Sequence, residues 1–112
     1  MTARPLHPAA LAALLTLPVL TAPALAADVA AGRTKAAACA VCHGPLGLSV
    51  TPDAPNLAGQ PEMYLSQQLR AYRSGKRVHE VMTLMAKSLG EEDIDNVAAW
   101  FASVKVEAKL AP

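Results

Sequence analysis

CAVCHG, residues 39–44, holds both cysteines of the chain and one of its three histidines. Two thiols three positions apart, with an imidazole directly behind the second, make a compact set of soft and borderline ligands. Three chemistries use such a set: a disulfide or dithiol redox pair, a structural zinc site, and covalent attachment of a c-type haem. The rest of the chain has to separate them.

Downstream, residues 44–60 read GPLGLSVTPDAPNLAGQ, a Gly- and Pro-rich coil of seventeen residues. A structureless loop of that length in a small domain is usually functional, so something is expected to fill the space it encloses. Alternating β-branched runs are missing, and four helical segments are expected instead. The first opens at Asp28, a good N-cap, and runs through AAGRTKAAACAV. The second starts at Pro61 in the first helical position and carries Leu65, Leu69 and Tyr72 on one face, ending at Gly75. A short helix covers about 82–89. The last runs from about 91 to 105, with Glu91, Glu92 and Asp93 in its first turn and an apolar stripe of Ile94, Val97, Ala98 and Phe101.

Upstream, residues 9–26 read AALAALLTLPVLTAPALA without a charge, preceded by Arg4 as the only charged side chain. A short positive start, an apolar middle and the small pair Ala24 and Ala26 describe a secretory signal cut after Ala26. An uncleaved membrane anchor is the competing reading, and Pro18 and Pro23 weaken it. Residues 1–26 are therefore expected to be a leader and residues 27–112 the functional domain. Removing 26 of 112 residues leaves 86. Without Arg4 the ten basic residues become nine, equal to the nine acidic ones. That neutral balance gives no basic footprint for a nucleic acid. A domain this small is marginal without a staple.

Export to an oxidising compartment permits a disulfide, but the thioredoxin-type motif needs a βαβ context that is not visible. Structural zinc needs four ligands, and the only other histidine after Ala26 is His79, with no third cysteine. Covalent haem accounts for the spacing best. Two thiols can add to two vinyl groups on one porphyrin edge while the adjacent histidine reaches the iron. A large apolar ring also supplies the core that four aromatic residues cannot.

At this point the sequence resembles a known family. GRTKAAACAVCHG (32–44), PNLAGQPEMYLSQQLRAYRSGKR (55–77) and VMTLMAKSLGEEDIDNVAAWFAS (81–103) are similar to the small class I cytochromes c of bacteria, of the monohaem type and of single domains of periplasmic dihaem cytochromes. The resemblance spans nearly all of residues 28–105. It departs from the pattern at Gly90, where relatives carry a serine cap, and at Trp100, where they carry Tyr or Phe. It implies an all-α class I fold of about four helices wrapped around one covalent haem c, with Cys39 and Cys42 as the thioethers and His43 on the iron.

The resemblance also implies a methionine on the second face of the iron, seven residues before the leucine of the cap segment. Leu89 is that leucine, which selects Met82, with Met85 as the alternative. Met63 and Met85 are otherwise read as core, and His79 as a solvated loop histidine. The acceptor for the second N–H of His43 is implied to be the carbonyl of Pro55. Tyr64 and Tyr72 are expected along the pocket, with Tyr72 or Arg77 near a propionate; simple core packing is the other role open to the tyrosines. Gly32 and Trp100 are expected to meet where the first and last helices cross. Arg70, Arg73, Lys76 and Arg77 cluster at the end of the second helix, favourable charge for a helix C-terminus or, less economically, a patch that steers an acidic partner.

The function implied is periplasmic transfer of one electron at a time, with donors and acceptors that are themselves redox proteins and with membrane contact only through docking to membrane-bound redox complexes. With both axial positions filled, no enzymatic turnover is expected. The alternatives are a cytochrome subunit held tightly by a periplasmic dehydrogenase or oxidase and, less favoured, a haem-based ligand sensor with a labile sixth position.

Overall fold

Asp28 starts the first helix as its side chain dictates. Its Oδ1 accepts the backbone N–H groups of Ala30 (2.8 Å) and Ala31 (3.0 Å), two donors that a first turn otherwise leaves orphaned. The computed structural model describes Met1 and residues 25–112; the expected leader lies almost wholly outside them. Helix α1 spans Val29–Lys35. It does not continue unbroken to Val41, as its composition suggests. A 3₁₀ turn at Ala36–Ala38 intervenes, and α2 covers Ala40–His43. Overwinding eclipses side chains three positions apart, and a run of alanine methyl groups tolerates that crowding.

The coil of residues 44–60 holds itself in shape by bonds across its own loop. The carbonyl of Gly47 accepts from Leu57 N (2.7 Å) and Ala58 N (3.1 Å), and Ser49 N donates to Asn56 Oδ1 (2.7 Å). Gly47 has φ 81°, and a Cβ there would press on Ala58 N and on the Phe101 ring, each at 2.7 Å. Only glycine meets both conditions.

Helix α3 spans Glu62–Ser74. Pro61 sits one residue earlier than expected, at the N-cap with ψ 131°, and its carbonyl accepts from Leu65 N (3.1 Å). Leu65 and Tyr72 are buried and Leu69 half-buried, so the expected face points inward. Helix α4 covers Glu80–Lys87, two residues ahead of the expected start, because His79 caps it. Helix α5 runs Glu91–Ser103 and stops when Val104 turns extended. Gly90 has no side chain to cap α5, yet Asp93 still returns a carboxylate oxygen to the Gly90 N–H (3.2 Å).

Helix α5 packs against α1 and α3, and α3 against α4. Ala36, Leu65, Val97, Ala98 and Phe101 form the core cluster, with Cys39, Leu57, Leu69 and Trp100 packed on it. The stripe of Ile94, Val97, Ala98 and Phe101 is buried throughout. The α1–α5 crossing differs in detail from expectation. A Cβ on Gly32 would overlap the backbone carbonyl of Asn96, while the nearest Trp100 atom is its Cβ at 3.1 Å. Backbone, not indole, demands the glycine; the Trp100 ring lies aside under the Arg33 guanidinium, 5.4 Å from its centre.

Candidate functional site

The 3₁₀ turn and α2 present CAVCH over little more than one helical turn. Cys39 stands at their junction, Cys42 and His43 at the end of α2. Burial pushes the Cys39 thiol up from its ordinary value, since the thiolate is poorly solvated there. Neither sulfur is bonded to the other. His43 is 6% exposed, and its Nδ1 lies 2.8 Å from the Pro55 carbonyl oxygen. A carbonyl only accepts, so Nδ1 carries the proton and Nε2 keeps its lone pair.

That lone pair belongs to a ring lining a cavity of about 320 Å³, within the range of about 300–1,000 Å³ that small-molecule sites occupy. Cys42, His43, Pro55, Tyr64, Tyr72, Arg77 and Met82 all border it. Cys39 does not; it packs on the core side. Met85 does not border it either and is 38% exposed, so it is neither on the cavity nor core. Met63 is 72% exposed and is not core. Tyr72 is buried and Tyr64 half-exposed, so core packing describes only the former.

One end of the cavity is polar. The Arg77 guanidinium stacks over the Tyr72 ring at 4.6 Å and donates to Gln68 Oε1 (2.7 Å). Thr51 also borders the cavity, and its Oγ1 is the one buried side-chain polar atom without a partner among the described residues. Leu57, Leu65 and Val81 supply apolar wall. An apolar slot with an imidazole on it, the Cys42 thiol at its edge and hydrogen-bond donors at one end suits a flat apolar macrocycle bearing carboxylates. Among the described residues no group of three His, Cys, Asp or Glu side chains converges.

The cytochrome c family model matches residues 29–105. The chain belongs to the cytochrome c family. Its all-α architecture is that of the class I fold, and the family together with Cys39, Cys42 and His43 assigns it one covalent haem c. It is 43% identical over 98 residues to cytochrome c4 of Pseudomonas aeruginosa, covering 88% of this chain and 49% of that relative. It is 43% identical over 81 residues to cytochrome c-554(548) of Halomonas halodenitrificans, covering 70% of this chain and 98% of the relative. Thiosulfate dehydrogenase from Marichromatium purpuratum shares the fold with a TM-score of 0.67 and 34% identity, over 81% of this chain and 22% of that one. The chain thus spans about half the length of the cytochrome c4 relative it matches.

Several residues that border the cavity escaped sequence reading. Gln68 lies four residues before Tyr72 on the same helix face, a signal that was available. Thr51 gave none. His79 is exposed and outside the helix, as expected, but its side chain also caps α4 and borders the cavity. The arginine cluster is half committed to α5. Arg70 binds Glu91 (2.8 Å) and Asp95 (2.7 Å), and Arg73 binds Glu91 and the Leu89 carbonyl (3.1 Å). Hydrogen bonds from Arg70 and then Arg73 hold the Glu91 carboxyl below its ordinary value. Lys35 acts likewise on Asp93 (2.9 Å), with help from the Gly90 N–H.

Proposed function

We propose that the chain is a periplasmic electron carrier, with His43 and Met82 as the axial ligands of its haem. Haem, when bound, supplies an iron that takes up and returns one electron. The observation that carries the reading is the buried His43 ring, fixed by Pro55 with Nε2 free and on the same cavity as Met82. The Pro55 bond sets the tautomer and ring orientation of His43, so the imidazole is held in one orientation for the iron. A methionine sulfur is soft and neutral, favours the reduced state and raises the potential relative to a second histidine. Leu57, Leu65 and Val81 give the cavity apolar wall for the ring. Arg77, Gln68 and Thr51 offer donors to carboxylates at the polar end. With His43 and Met82 both on the iron, no open position would be left on it for a substrate. Redox proteins are its partners.

Met82→Ala tests the ligand set. In the haem-loaded protein it is expected to abolish the weak long-wavelength band of a ferric iron bound to thioether sulfur, lower the potential and admit carbon monoxide. A band that survives in Met82→Ala and disappears in Met85→Ala would transfer the role to Met85. Residues 1–26 serve in this reading as an export leader cut after Ala26; N-terminal sequencing of the haem-containing protein tests it, Ala27 being the expected first residue.

A second reading, a carrier fixed to an enzyme, is favoured by the match to part of a thiosulfate dehydrogenase chain. Size-exclusion chromatography of periplasmic extract, followed by haem absorbance, separates the two. A free carrier elutes at its own mass.

A further inference from the structure

We infer that His79 is a positioning residue for Met82, holding the backbone of that methionine in place by capping α4. The inference rests on the assignment of Met82 as iron ligand. His79 occupies the N-cap with extended backbone, φ −152° and ψ 134°. Its Nδ1 accepts the backbone N–H of Met82 at 3.3 Å. Its own N–H donates to Thr83 Oγ1 at 3.0 Å, and its carbonyl accepts from Thr83 N at 2.9 Å. Three bonds therefore tie one residue to the turn that contains Met82.

The arrangement is reciprocal, like a capping box, but built from histidine and threonine. It matters because of what it holds. Helix α4 has only eight residues, too few to persist on local propensity. A methionine side chain has three soft torsions, so the precision of its sulfur depends on where its backbone is held. On the entry side, the Arg77 N–H is bonded to the Ala71 carbonyl (3.0 Å), which anchors the linker to α3. His79 anchors the other end of that linker to α4. Removing the imidazole leaves the Met82 N–H without its acceptor and lets the first turn fray. The turn that frays is the one that places Met82 on the cavity.

The test uses the full-length, haem-loaded protein in four forms: unmutated, His79→Ala, His79→Asn and Met82→Ala. Asparagine caps a helix as well as any residue, whereas alanine does not. In His79→Ala the Met82 amide is expected to exchange with solvent roughly fivefold faster, the consequence of losing one cap. The ferric thioether band is expected to weaken and the potential to fall. In His79→Asn all three are expected to return toward the unmutated values. A band and potential unchanged in His79→Ala, with the band lost in Met82→Ala, overturn this inference alone. A His79→Asn protein that behaves like His79→Ala also overturns it, because then the imidazole and not the cap is what counts. A band that survives in Met82→Ala removes the ligand assignment, and the inference with it.

Discussion

Asn96 Oδ1 accepts the backbone N–H of Asp28 at 2.6 Å, across 68 residues of sequence. Asn96 is buried, and Asp28 is the residue that caps α1. One amide side chain on α5 therefore fixes the entry of the helix that leads into CAVCH. Asn96→Ala leaves the Asp28 donor without its partner and is expected to cost about 1–3 kcal/mol. Chemical denaturation of the haem-loaded protein measures it; a midpoint equal to the unmutated one would show the bond to be idle.

Gly32→Ala is expected to be more disruptive than its single methyl suggests. The added carbon would overlap the Asn96 carbonyl, which is backbone and cannot rotate away. Overpacking of this kind costs about 1–3 kcal/mol or more. Denaturation curves and helical circular dichroism should both report it. By contrast, Trp100→Phe keeps the Gly32 contact, because that contact is to Cβ.

Stability should fall in acid through Glu91 and Asp93. Both carboxyls titrate below their ordinary values in the folded chain, Glu91 because of Arg70 and Arg73, Asp93 because of Lys35 and the Gly90 N–H. The unfolded state thus binds protons first as pH drops. The stabilisation is complete above the ordinary carboxylate range, around pH 4, and disappears as pH falls through the lowered folded values. Glu91→Gln should be less stable than the unmutated protein near neutrality and indistinguishable from it at strongly acid pH. Added salt should narrow the neutral difference, since the pairs are exposed. A difference that persists in acid would place the effect of Glu91 elsewhere.

Met85→Ala separates exposure from periodicity. Met85 is more than one-third exposed, so the substitution is expected to change stability by about 0.5 kcal/mol or less. Phe101→Ala, deep in the core cluster, should cost about 3–5 kcal/mol. Thermal melts of the two variants test the contrast, and a large loss in Met85→Ala would mean a covered face.

What could be read from sequence followed the range of the interactions. Cys39, Cys42 and His43 are adjacent, and their chemistry demands adjacency, so the attachment motif was legible. The buried stripe of α5 was legible because a 3.6-residue period needs no partner to be recognised. The 3₁₀ turn was not, since three alanines suit either winding. Met63 and Met85 were misjudged because composition cannot say which helix faces find a neighbour. The Asn96 bond to Asp28 joins atoms that only the folded chain brings together. The His79 cap is local, its partners Met82 and Thr83 lying three and four residues on; it was missed because histidine is not among the usual capping residues.

The Gly59 N–H donates to the Phe101 carbonyl at 2.9 Å, and the Phe101 ring rests on Gly47. The coil behind His43 is thus latched onto α5, as is the entry to α1. Contacts so distant in sequence close late, because the intervening chain must be gathered first. Until α5 docks, Cys39 lacks Val97, Ala98 and Phe101, the α5 part of the cluster it packs on. The order of assembly therefore keeps a window in which both thiols can be reached before the pocket forms. A chain ended ahead of Glu91 is expected to stay in that window, with Cys39 alkylated as fast as Cys42; slow alkylation of Cys39 in such a chain would mean that the window closes without α5.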